Sequence, residues 1–116
     1  MKVHRYESLP AGTTYTWGDP EELADYDFEE LKDTAVEEAW YWYACGGYEG
    51  AGYIIMREGS SFFLHDMGHC SCYGPLDGAT DALRVPYETL DALEAACTDD
   101  LESELAPLLK MARADA

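Results

Sequence analysis

Residues 39–44 read Ala39-Trp40-Tyr41-Trp42-Tyr43-Ala44, four consecutive aromatic side chains between two alanines. Aromatic residues are enriched in strands because they fit a pleated, half-buried surface. Alternation then puts Trp40 and Trp42 on one face and Tyr41 and Tyr43 on the other. The segment predicts a strand with apolar bulk on both sides. Core on one face and helices on the other is the expected setting, ahead of an exposed interface patch. A stacking platform for single-stranded nucleic acid would need a basic groove, which this chain lacks.

Reading outward, the glycine-rich turn Cys45-Gly46-Gly47-Tyr48-Glu49-Gly50 leads into a second strand over 51–56, with Tyr53-Ile54-Ile55 at its centre. Glu58-Gly59-Ser60 has the composition of a tight hairpin, and Ser61-Phe62-Phe63-Leu64-His65 reads as a third strand. A polar loop with breakers at Gly74, Pro75 and Gly78 follows over 69–80. Further on, Tyr87, Leu90, Leu93 and Cys97 recur at helical spacing, with Pro86 in a first turn that tolerates it. Thr98 can cap a last helix with Leu101, Leu105 and Leu108 inward, and Pro107 should kink or interrupt it.

Residues 1–17 read as an extended or irregular arm. Asp19-Pro20-Glu21-Glu22 has the form of a helix start, with Asp as N-cap, Pro at the first position and acids near the positive dipole end. Leu23, Phe28 and Leu31 form a thin apolar stripe behind it. The expected fold is α+β: a small antiparallel three-stranded meander with helices packed on one face. No linker or repeat divides the chain, so one domain over 1–116 is expected.

Charge is the strongest compositional signal. The 116 residues carry 24 Asp and Glu against 7 Lys and Arg, a net −17. Residues 19–38 hold ten acids and one base, Lys32, and residues 87–104 hold seven acids and none. Those two blocks supply almost the whole surplus. Such a surface repels nucleic acid and anionic membrane and attracts proteins built to grip phosphate. Were 19–38 helical, its twenty residues would span roughly 30 Å, about one acid per 3 Å of axis. One DNA strand carries a charge per about 3.4 Å, so the density can imitate a phosphate backbone. The bland alternative is a solvated acidic face that serves solubility alone.

In size and charge, carried by those two blocks and by no motif, the chain resembles the small acidic anti-defence proteins of phages, the DNA-mimicking anti-CRISPR and anti-restriction inhibitors. The segments Tyr48-Glu49-Gly50-Ala51-Gly52-Tyr53 and His65-Asp66-Met67-Gly68-His69-Cys70-Ser71-Cys72-Tyr73-Gly74-Pro75 are similar to a pattern in uncharacterised phage and bacterial proteins. The resemblance implies a non-enzymatic inhibitor that blocks a host nucleic-acid-binding protein or CRISPR effector complex, binding no nucleic acid or membrane itself. Asp19, Glu21, Glu22, Asp25, Asp27, Glu29 and Glu30 would carry the contact. Glu88, Asp91, Glu94, Asp99 and Asp100 would form a second patch if the fold places them together.

The alternative centres on His65, His69, Cys70 and Cys72, four zinc-ligating residue types within eight positions. Structural zinc sites separate two ligand pairs by a longer loop, so this spacing is cramped, with Cys45 as a candidate distant ligand. Small buried thiols and hydrogen-bonded histidines are the plainer account. A Cys-His nucleophile pair oriented by Asp66 is the third reading, but such partners normally meet across a fold rather than along a loop. No phosphate loop, dinucleotide fingerprint or nucleophile elbow is present. No run of about eighteen apolar residues and no secretion signal is seen, so a cytosolic setting with reduced cysteines is expected.

Overall fold

The computed structural model describes residues 2–6, 34–46, 49–67, 84–97 and 99–115. They form an α+β arrangement of four strands, β1 (Lys2–Arg5), β2 (Glu38–Gly46), β3 (Glu49–Glu58) and β4 (Ser61–Asp66), and two helices, α1 (Leu90–Ala96) and α2 (Asp99–Asp115). The sheet order is β1-β2-β3-β4. β2, β3 and β4 are the antiparallel meander, with Trp40 opposite Ile55 and Met56 opposite Phe63. The β3–β4 turn contains Gly59, whose φ of 57° lies where L side chains are strained.

The expectation of three strands is corrected here. Residues 2–5, read as arm, join the sheet as a fourth strand parallel to β2, with Val3 opposite Ala39 and Arg5 opposite Tyr41. The sheet is therefore mixed. Parallel pairing is non-local, since it needs a crossover of a dozen or more residues, and residues 6–37 intervene between these two strands.

Both faces of β2 are buried, as its alternation requires. Trp40 and Trp42, at 0% and 1% exposure, pack with Ile55, Leu90, Leu93, Leu105, Leu108, Leu109 and Ala112 beneath the helices. Ala39, Tyr41 and Tyr43 join Val36, Ile54, Met56, Phe63 and Met67 in a second cluster on the opposite face. Aromatics on both sides of one strand thus serve two layers of core rather than an interface patch.

Helix α1 starts later than Pro86. Thr89 is its N-cap, the Oγ1 accepting from Ala92 N at 3.0 Å. Tyr87 instead forms an antiparallel bridge with Phe62, through reciprocal backbone bonds of 2.8 Å. A hydroxyl that satisfies an orphan amide outweighs a proline's tolerance of the first turn. Helix α2 runs on through Pro107. The proline removes one N–H from the ladder, and the burial of Leu105, Leu108 and Leu109 on either side offsets that loss. Thr98 lies outside the described residues. Among the described residues, no helix is long and apolar enough to cross a membrane.

Candidate functional site

The acidic face of the C-terminal helices is the predicted site that the described residues reach. Leu90 and Leu93 turn inward, so helical spacing carries Asp91 and Glu94 outward. Asp91 lies in the first turn of α1, where the dipole favours an anion. Glu88 is exposed just before the cap. Asp91 and Glu94 share one partner, Arg113, and Glu88 lines the same cleft as Asp91.

One part of that expectation changes. Block 87–104 contains no base, but the fold supplies one from beyond it. Arg113, in the last turn of α2, donates from Nη2 to Asp91 Oδ1 at 2.7 Å and also to Glu94 Oε2. The hydrogen bond to Glu94 foremost, with that to Asp91, holds the guanidinium pKa above its ordinary value. The patch is less negative than its sequence. Asp99 and Asp100 open α2 at the end opposite Arg113; fourteen residues of helix put about 20 Å between them along the axis. They are not part of one compact patch with Asp91.

The remaining acidic residues, Asp19, Glu21, Glu22, Asp25, Asp27, Glu29 and Glu30, lie outside the described residues. The end of their block is described, and it is extended rather than helical, since Glu38 begins β2. Glu37 and Glu38 are both engaged: Arg57 Nη1 donates to Glu37 Oε2 at 2.8 Å and to the Gly59 carbonyl at 3.1 Å, while its Nη2 lies 3.4 Å from Glu38 Oε1. The Glu37 hydrogen bond is the main cause raising the Arg57 pKa.

Glu38 is the one buried charged side chain among the described residues, at 8% exposure. Its second oxygen meets His4 Nε2 at 2.6 Å, and the His4 ring stacks on Trp40 with centroids 5.8 Å apart. Sequence reasoning missed this cluster because His4 and Glu38 sit on strands joined only by non-local pairing. The histidine and the carboxylate stand on adjacent strands and tie β1 to β2. A further ion pair joins Arg84 to Glu58 at 2.5 Å, the same guanidinium lying 3.9 Å over the Phe63 ring.

Of the four proposed metal ligands, His65 is placed on β4 opposite Ile54, half-buried. His69, Cys70 and Cys72 lie outside the described residues. Among the described residues no group of three His, Cys, Asp or Glu side chains could hold a metal ion. Cys97 is half-buried after α1, and its Sγ donates to the Leu93 carbonyl at 3.2 Å. Burial first, then the nearby Glu94, pushes its thiol pKa up, the reverse of what a nucleophilic cysteine needs.

No protein-family model, curated protein or solved structure matches the chain.

Proposed function

We infer that this protein is a non-enzymatic acidic inhibitor that occupies the phosphate-gripping surface of a nucleic-acid-binding host-defence protein, in the manner of anti-CRISPR and anti-restriction inhibitors. The observation that carries the reading is the distribution of charge: net −17, gathered into two blocks, with three of the seven bases paired to the fold's own carboxylates. Arg57, Arg84 and Arg113 each close an intramolecular pair, so they offer little to an anionic partner. A cationic groove evolved for phosphate spacing is the complementary surface, and association with it would be fast and sensitive to salt. The contact residues would be Asp19, Glu21, Glu22, Asp25, Asp27, Glu29 and Glu30, with Glu88, Asp91 and Glu94 as a smaller second patch.

The test is displacement. Purified CRISPR effector complexes and restriction enzymes are loaded with labelled target DNA, and the chain is titrated in at low and at high salt. Release of DNA at low salt that weakens at high salt, and is lost on changing Asp25, Glu29 and Glu30 to Lys, is the expected result. Retention of DNA by every complex across the titration overturns the reading, and leaves the acidity as a solvated face.

A further inference from the structure

Between β4 and α1 lies a shallow cleft of about 290 Å³, bounded by Phe62, Glu88, Thr89, Leu90, Asp91 and Arg113. Phe62 and Leu90 contribute hydrocarbon to its lining, and Glu88, Asp91 and Arg113 contribute charged groups. Small-molecule and cofactor pockets run from about 300 Å³ upward and enclose most of their ligand. This cleft sits at the bottom of that range and is open to solvent rather than enclosing, a shape that suits one long side chain.

We propose that the cleft receives a single arginine side chain from a cationic partner protein, with the aliphatic stem on Phe62 and Leu90 and the guanidinium between Glu88 and Asp91. The inference rests on the reading of the chain as a binder of basic protein surfaces, and names the contact that its second acidic patch makes. Three observations converge on arginine. A lining of hydrocarbon and carboxylates matches a side chain that buries its stem and keeps its charged head in water. The cleft already holds such a head: the chain's own Arg113 donates to Asp91 at 2.7 Å, which shows that this carboxylate takes a guanidinium. Capacity also remains. Asp91 is 87% exposed in its side chain even with Arg113 attached, and Glu88 makes no ion pair among the described residues. A planar fork with five donors can bridge two carboxylates that a compact ammonium would meet singly.

The experiment titrates ¹⁵N-labelled protein with the peptide acetyl-Gly-Arg-Gly-amide and with its citrulline counterpart, which keeps the shape and removes the charge. Saturable amide shifts at Phe62, Thr89, Leu90 and Asp91 with the arginine peptide, and none with citrulline, are expected. The double change Glu88→Gln and Asp91→Asn, both at exposed positions, should weaken that binding about tenfold. Unsaturable shifts spread over every exposed acid, or binding unchanged by the double variant, overturn the proposal. DNA displacement by an inhibitor whose cleft binds no arginine would sink this inference and leave the inhibitor reading intact. Arginine binding in the cleft by a protein that displaces no DNA would do the reverse.

Discussion

Nε2 of His4 lies 2.6 Å from Oε2 of Glu38, so the first strand of the chain is tied to the sheet by a side-chain bond across a parallel pair of strands. The contact is part-buried, and the imidazole is also fixed by its stacking on Trp40. A hydrogen bond to a charged group contributes about 1.5–3 kcal/mol, and an aromatic pair about 0.5–1.5 kcal/mol beyond burial.

His4→Ala should therefore cost about 2–3 kcal/mol of unfolding free energy in urea. Glu38→Gln should cost about 2 kcal/mol, because it weakens the bonds to both His4 and Arg57. Contacting residues couple by about 0.5–3 kcal/mol in a double-mutant cycle. A cycle in which the two losses simply add would show that the His4–Glu38 contact does not help to hold β1 in the sheet.

Gly52, on β3, stands opposite Tyr43 of β2. A Cβ there would stand 2.2 Å from the Trp42 carbonyl oxygen and 3.0 Å from the Tyr43 Cα, backbone atoms that cannot swing away. Gly52→Ala should cost about 3 kcal/mol or more, at the upper end of overpacking losses. Gly59 is different: a Cβ meets nothing within 4 Å, and only its positive φ resists one. Gly59→Ala should cost about 1–2 kcal/mol. Thermal unfolding of both variants ranks them; equal midpoints would mean that β2 and β3 separate to admit the methyl.

The reach of the sequence follows the range of the interactions. β2, β3 and β4 are readable because an aromatic run, an Ile pair and a Glu-Gly-Ser turn act locally, and the hairpin closes over a few residues. The two layers of core follow from alternation at Trp40 and Tyr41. β1 is not readable: Lys2-Val3-His4-Arg5 has no strand signature of its own and pairs only where β2 arrives. The charge balance of residues 87–104 likewise looks uncompensated until α2 brings Arg113 back over α1. The start of α1 turned on a local contest between Pro86 and Thr89, and a side-chain hydrogen bond decided it. Of the metal set, His65 is placed on its strand, and a strand alone does not assemble a site.

Cys97 should be a slow thiol. Its Sγ is hydrogen-bonded to Leu93, and burial together with Glu94 raises its folded pKa. Unfolded thiols ionise near pH 8.5, so the folded state retains a proton that the unfolded chain has lost. The resulting stability is fully present below that pH and is lost as pH climbs through the higher folded value. Alkylation at Cys97, followed by peptide mass spectrometry at pH 8, should be at least about tenfold slower in native buffer than in urea. Cys97→Ala should flatten the fall in stability on the alkaline side. A native rate equal to the denatured one would mean that neither burial nor the Leu93 bond protects the thiol.

Arg113 sets how negative the helix face is. It bridges Asp91 and Glu94 from a position 43% exposed, and pairs exposed to this degree add little to folding. Removing it therefore separates electrostatics from stability. Arg113→Ala should leave the urea midpoint nearly unmoved while releasing two carboxylates beside Glu88. Association with a basic partner is steered by the summed field, so under the proposed function the variant should bind a few-fold faster, at low ionic strength, to a complex whose DNA the protein displaces. The gain should vanish at 1 M salt, where the screening length shrinks to about 3 Å. Glu88→Lys, at an exposed position on the same face, should slow association by a similar factor. Stopped-flow rates across a salt series measure both. Slower association of Arg113→Ala would make the guanidinium itself a contact and the acids around it its support, inverting the role assigned to this face.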